Sequence, residues 1–469
     1  MKRATKAAIA IIVLLLSSAL YLVAYRPGGS TATTSVASTT SSQGWTASSS
    51  GQSTASPGAN WTTYQADDAR TGDAPTANFT AVAQDWRSPS LDGPVYAQPL
   101  VYGGEVFVAT ENDSVYALDA ATGAVVWRTH LGSPVPGGDL QCGDSDPSGI
   151  TGTPVSDPST GVLYVVAFSA LQHTLYGIET ASGTVVFHQP ADPPGFVATA
   201  QQQRSALSLA NGMVYIPYGG LAGDCGQYHG WVVALDANGS AGMAVYQVPT
   251  TREGGIWAPS GAAIDPAGDV FVATGNGASL TAFDYGDSVL RLGPSLSLQG
   301  YFAPTDWVQL NQDDGDLGST GPAIVGPGLI FQVGKAGVGY LLNASELGGI
   351  GGQLYAGSVC SGSYGGTAFS SPLLFVPCRD GLAELDVQGS SFSSVWKTSG
   401  FDAGPPVVTG GIVWTVDIST ATLEGFSVAT GHEVFAFSLG SVVNFCPLSA
   451  GDGRLFVASG GGVEAWMLG

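Results

Sequence analysis

With 469 residues, 68 glycines, 10% aromatic and only 11% charged residues, the chain has the composition of many short strands joined by glycine-rich turns, not of long solvated helices. A formal net charge of -22 excludes a nucleic-acid partner and an anionic lipid surface, because both require a basic face. The sequence contains no G-x-S-x-G, P-loop, dinucleotide fingerprint or HExxH motif, which leaves hydrolase and nucleotide-dependent chemistry without a basis.

Lys2, Arg3 and Lys6 precede an uncharged run over residues 7–25 that is long enough to span a bilayer and is closed by Arg26 and Pro27. The reading is a membrane anchor over residues 1–27; a cleaved signal peptide is the alternative. Three basic residues before the span against one after it place the N-terminus in the cytoplasm and the remainder outside. Residues 28–60 are dominated by Ser, Thr, Gly and Ala, with almost nothing to bury, and predict a flexible stalk. The globular part is expected over residues 61–469.

Within it, residues 115–127 (VYALDAATGAVVW) read as two short strands around a Thr122-Gly123 turn. Weaker copies lie at 175–187, 232–246, 382–396 and 423–435. Such a hairpin is marginal alone and needs stacked neighbours, so its recurrence predicts a β-propeller. Eight segments of the form QPLVYGGEVFVAT, each a turn or Pro leading into a Gly-centred turn and a β-rich strand, predict an all-β, eight-bladed fold. The sixth copy, SPLLFVPCRDGLAEL, is irregular and leaves seven blades as the alternative. The last copy ends without an outer strand, whereas residues 80–89 (TAVAQDWRSP) look like an outer strand without a blade. The two are expected to complete one blade and close the ring. The five cysteines show no CxxC spacing, so zinc, iron–sulfur and covalent haem readings lack support. Cys360 with Cys378 is the first expected pair, on proximity alone, and an odd count leaves at least one thiol free.

With these repeats in view, the chain resembles the quinoprotein-like propellers, whose repeat is named after pyrroloquinoline quinone (PQQ). The region 254–340, with GGIWAPSGAAID, ATGNG, QDDGDLGS and VGKAGVGYLL in that order, resembles the dehydrogenases of the group. The resemblance implies that Trp257 is the aromatic floor under the quinone, that Asn276 is an amide ligand to calcium, that Asp316 is the catalytic base, and that Lys335 bonds the quinone oxygens. The chemistry asks for these types independently: a carboxylate to take an alcohol proton, oxygen ligands for a hard cation, and a cation for a developing oxyanion. Two departures stand out. The alcohol-oxidising members carry adjacent cysteines near the cofactor and this chain has no such pair, and their acidic calcium ligand has only Asp224, about one position displaced, as its match.

Each residue also has a plainer role: Trp257 in blade packing, Asn276 in a turn between two glycines, Asp316 in a solvated acidic loop, Lys335 in a turn. Lys335 and Lys397 are the only lysines after residue 26, which raises the interest of Lys335. Arg204, in QQQRSAL, is expected at one face of the ring, where it pairs with a carboxylate or binds an anion. Asp224, Tyr228 and His229 gather in one loop beside Cys225, and Asp284 and Asp287 bind a cation or cap a turn. The sequence thus carries two functional expectations. One is a membrane-anchored, extracytoplasmic binding scaffold that presents its faces to cell-surface proteins or glycans. The alternative is a PQQ- and calcium-dependent dehydrogenase acting on an alcohol-type substrate.

Overall fold

The computed structural model describes residues 60–240 and 242–469. The expected anchor at 1–27 and nearly all of the 28–60 stalk lie outside the described residues; among these, no helix is long and apolar enough to cross a membrane.

Eight antiparallel sheets, each with a four-strand core, form the blades of a propeller, which decides between eight and seven. In the first blade the strands run outward from the axis as Leu100–Tyr102, Glu105–Thr110, Ser114–Asp119 and Val125–His130. The inner strands are sandwiched between neighbouring blades, so Glu105–Thr110 is buried at nearly every position. The outermost strand has a solvated face and alternates between exposed and half-buried residues, the period expected of a one-sided strand.

The repeat sequence also encodes contact between blades. The turn glycine Gly123 adopts φ 70° and lies under the Trp86 ring of the preceding blade, with no room for a Cβ. Trp86 Nε1 then donates to the Ala120 carbonyl at 3.0 Å. Trp127 repeats the arrangement on Gly183 and donates to the Thr180 carbonyl at 2.8 Å. Each pair uses an aromatic ring to bury the next turn and the indole N–H to satisfy it.

The final blade is composite, as expected. Val82–Arg87 pairs antiparallel with Gly462–Leu468 as its outermost strand, and Arg87 forms an ion pair with the buried Glu464 at 2.5 Å. The irregular sixth copy is a hairpin read one strand late. Its inner strand is Ala368–Ser370, followed by Leu373–Cys378, and the glycine-bearing CRDG turn joins the second strand to the third. The first turn there lacks the glycine that marks the other copies.

Sequence periodicity did not reveal the segment at 61–74, which occupies the ring's centre. Its backbone accepts from or pairs with the inner strands at Val101, Ser156, Ile264, Ile324, Phe369 and Val408. The third blade is reached by the buried Arg70, whose guanidinium donates to the carbonyls of Ala262, Tyr64 and Leu207 and to the hydroxyls of Thr63 and Ser208. Gln98, bonded to Gln65 and Trp61, reaches the Leu448 carbonyl of the last blade at 2.7 Å. Disulfides join Cys142 to Cys225 and, as expected, Cys360 to Cys378, leaving Cys446 free and buried.

Arg70→Leu would strand several buried carbonyls at once and is expected to destabilise the propeller by about 3 kcal/mol or more. Arg70→Lys should restore part of the loss. Chemical denaturation reads both, and an unchanged midpoint for the leucine variant would show that the hub does not depend on this side chain.

Candidate functional site

Because strand direction alternates outward through each blade, the turns between second and third strands and the links between blades emerge at one end of the ring. The turns at the other end are shorter, apart from residues 344–354 of the fifth blade. The link between the first two blades alone covers residues 131–154. Long connections on a rigid scaffold are where function is usually carried. Arg204, Asp224, Trp257, Asn276, Asp316 and Lys335 all belong to this set of turns and links.

Five of the six are brought together. Lys335 Nζ lies 2.6 Å from Asp316 Oδ2 and 2.8 Å from Asp314 Oδ1. The Asn276 backbone N–H donates to Asp316 Oδ1 at 2.6 Å, so both oxygens of the buried Asp316 are held. The approach is close because residue 275 is glycine: a Cβ there would overlap Asp316 Oδ1 and reach 3.0 Å from Trp257 Nε1. Lys335 Nζ and the Arg204 guanidinium stand 5.7 and 4.8 Å from the Trp257 ring centre. Arg204 donates to the Gly220 carbonyl, while its Nε is buried and has no partner among the described residues.

Burial raises the Asp316 carboxyl above its ordinary range, against the pull of Lys335 and the Asn276 amide. Burial works against the Lys335 charge as well, but Asp316 and Asp314 outweigh it and hold the ammonium above its usual pKa. The pair is therefore a fixed cation beside a carboxylate whose basicity is lifted, an arrangement suited to taking a proton while stabilising negative charge nearby.

Asp224 stands apart from the five. It is exposed, its Oδ1 accepts from the Tyr228 hydroxyl at 2.5 Å, and its carbonyl accepts from Arg252. Glu253, which the sequence reading passed over, is buried in a left-handed conformation (φ 71°), forms single backbone bridges to His229 and Gly277, and is paired with Arg252. Burial raises its carboxyl, with Asp224, Asp316 and Asp284 adding to the rise and Arg252 opposing it, so it belongs to the acidic surroundings of Asp316. A charged residue before Gly254-Gly255 was the available signal. Tyr364 and Phe445 were also missed. Each ring lies 6.4 Å from Trp257, and the two stack on each other at 5.8 Å.

The donor chemistry suits a planar, anionic quinone. Trp257 offers an aromatic face, Lys335 a cation, and Arg204 an unspent buried donor. For a hard cation the carboxylates set against the pair are Asp316 itself, Asp314 at 2.8 Å from Lys335, and the buried Asp287, which accepts from the Leu317 N–H next to Asp316. Among the described residues, three clustered metal-ligating side chains occur only at Cys360, Cys378 and Asp380, where both sulfurs are in a disulfide.

The family model described as outer membrane protein assembly factor BamB matches residues 31–317. The chain belongs to this PQQ-repeat family. Within a broader circle, it is 26% identical over 232 residues to polyvinylalcohol dehydrogenase of Sphingopyxis sp. (strain 113P3), a match covering 42% of this chain and 31% of that enzyme. The chain thus spans about a third of that relative's length. Among solved structures it is similar to the quinohemoprotein alcohol dehydrogenase of Pseudomonas putida HK5, with a TM-score of 0.69 and 15% identity over 88% of this chain and 80% of the other. The corresponding enzyme of Comamonas testosteroni gives 0.67 and 16% over 87% and 80%. At such identities these structures establish the shared propeller alone.

At the same end of the ring, Glu111 and Asp113 share the turn between the second and third strands of the first blade, and both are buried. Glu111 accepts from the Gly149 N–H and Asp113 from the Phe168 N–H, while Glu111 Oε1 and Asp113 Oδ2 have no partner among the described residues. Burial pushes Glu111 up to about 7 and Asp113 up to about 8. Folded-state pKa values above the unfolded ones mean that the native state binds these protons more tightly. The resulting stability is complete below the ordinary carboxylate range and is lost as pH rises through 7 and 8. The melting temperature is expected to fall between pH 5 and pH 8, and Glu111→Gln with Asp113→Asn should flatten the fall. A slope unchanged in the double variant would remove these two groups as its cause.

Proposed function

We propose that the protein is a redox enzyme of the quinoprotein type, oxidising an alcohol-type substrate with PQQ at the ring axis. The observation that carries this reading is the convergence of Asp316, Lys335, Asn276, Trp257 and Arg204, from four successive links and turns plus a fifth, on one point. A propeller that served only as a scaffold would have no use for a buried carboxylate locked between a lysine and a backbone amide beneath an aromatic ring. The family membership remains compatible with either role.

When bound, PQQ would supply the acceptor for the two electrons that leave the alcohol carbon. Trp257 would carry the flat ring once the Arg204 guanidinium swings from the indole face, and Arg204 would then spend its free Nε on a carboxylate. Lys335 would face a quinone oxygen. Asp316 would accept the hydroxyl proton of the substrate at Oδ2, its basicity already lifted by burial. Calcium, if it takes part, would draw on Asn276 and Asp316, with Glu253 or Asp224 as the further acidic ligand. Two disulfides support a location outside the cytoplasm.

Calorimetric titration of PQQ into the full chain, with and without calcium, tests the proposal. Binding is expected, weakened about tenfold or more by Lys335→Ala, which removes a charge-assisted contact. Asp316→Asn should retain binding and lose turnover of alcohols with an artificial electron acceptor. In the wild type, turnover should rise with pH as Asp316 ionises. Absence of PQQ binding in both arms would sink the redox reading and return the scaffold to first place.

A further inference from the structure

The chain has 36 acidic and 14 basic residues, so a cation has carboxylates to choose from almost anywhere on its surface. Lys2, Arg3, Lys6 and Arg26 precede the described residues, which leaves ten cationic side chains to account for. Seven of them sit in ion pairs. Arg70 is committed to the carbonyls of the hub. The remaining two, Arg204 and Arg379, have no ion pair among the described residues, and both lie against an aromatic ring at the same mouth of the propeller. Arg204 covers Trp257, and Arg379 lies 5.8 Å from the ring centre of Tyr364.

Arg204 is absorbed by the quinone reading; Arg379 is not. It occupies the turn of the sixth blade, one blade beyond the turn that carries Lys335, and its backbone N–H donates to Gly362, which lies against the Lys335 backbone. Its side chain lines a cavity of about 250 Å³ with Tyr364, Asp402, Ile418, Asn444 and Phe445. Phe445 and Asn444 also line the smaller cavity that holds Arg204, so the two spaces meet at one residue pair. Phe445 is held at φ 57°, an unusual conformation for an aromatic residue, and its ring forms a triangle with those of Tyr364 and Trp257. The cavity wall thus offers one free guanidinium, one amide, one carboxyl and two stacked rings. Burial lifts the Asp402 carboxyl above its ordinary range, with Arg379 pulling it down and Asp417 adding to the rise.

We infer that this cavity holds the carboxylate of the substrate, so that the alcohol presented to Asp316 is one that also bears a carboxylate, with an apolar or aromatic body lying on Tyr364 and Phe445. Arg379 is suited to this because a guanidinium grips a carboxylate with two parallel hydrogen bonds and keeps its charge at every accessible pH. Asn444 completes the polar contacts, and Asp402 stands ready to accept from a hydroxyl.

That the ligand is a substrate rests on the proposed redox function; its binding does not, and is measured without cofactor. The probes are 4-(hydroxymethyl)benzoate and its neutral counterpart benzyl alcohol, titrated calorimetrically into the full chain at low salt. The acid is expected to bind about tenfold tighter or more, the value of one good charge-assisted contact. Arg379→Gln should abolish the preference, Arg379→Lys should keep part of it, and Lys397→Gln, which alters a cation already paired with Asp380, should leave it intact. The inference is overturned if neither probe binds, if both bind equally, if the preference survives Arg379→Gln, or if it is lost in Arg204→Gln instead. Should the preference follow Arg379 while PQQ fails to bind, the anion site stands and the redox function falls.

Discussion

Eight inner strands arranged around an axis pose a problem that the strands themselves cannot solve. Each presents its free edge to the centre, where unpaired amides would be buried without water. Residues 61–74 solve it by winding through the middle and offering backbone carbonyls to one blade after another. Arg70 does with one side chain what the backbone cannot reach, distributing its donors over several carbonyls and hydroxyls. A buried guanidinium without a carboxylate is costly in isolation, and here it is tolerated because it satisfies groups that would otherwise be costly themselves. The hub is thus a mutual settlement of buried polar groups.

With the axis fixed from within, the long connections are free to specialise. Strand alternation sends the links between blades to one end, and that end holds the Asp316–Lys335 pair, the two arginines without an ion pair among the described residues, and the rings of Trp257, Tyr364 and Phe445. The Cys142–Cys225 disulfide ties the long link after the first blade to a turn of the third, holding two of these connections together. Precision at the site therefore comes from the ring, and chemical identity from the loops.

The blades were legible because a hairpin flanked by apolar strands has a short, local signature: alternation, a Thr-Gly turn and an aromatic residue that must cover the next turn. Trp86 and Trp127 show why that aromatic recurs. The sixth copy was misregistered because its first turn lacks the glycine used as a landmark. The hub was illegible for a physical reason. Residues 65–72, QADDARTG, are polar, aperiodic and bonded to partners as distant as Pro406, so nothing in their neighbourhood marks Gln65, Arg70 and Gly72 as buried. Trp257, Asn276, Asp316 and Lys335 were singled out by the order of their motifs and Arg204 by its place ahead of a strand, and the fold sets these five close to one another. Glu253 and Phe445 were missed because their importance lies in left-handed backbone conformations that a non-glycine residue does not advertise. Asp224 was chosen by position along the chain, whereas its side chain is engaged by Tyr228.

The composite last blade sets a schedule for biosynthesis. Val82–Arg87 leaves the ribosome among the first folded residues, yet its partner strand, Gly462–Leu468, comes at the very end, with Arg87 and Glu464 separated by 377 positions. At roughly 5–20 residues per second, the early strand waits on the order of tens of seconds for its place. Throughout that interval the hub too lacks most of the blades it serves, and the nascent chain presents open sheet edges at both ends. The loss of even a few C-terminal residues would leave the ring without its clasp.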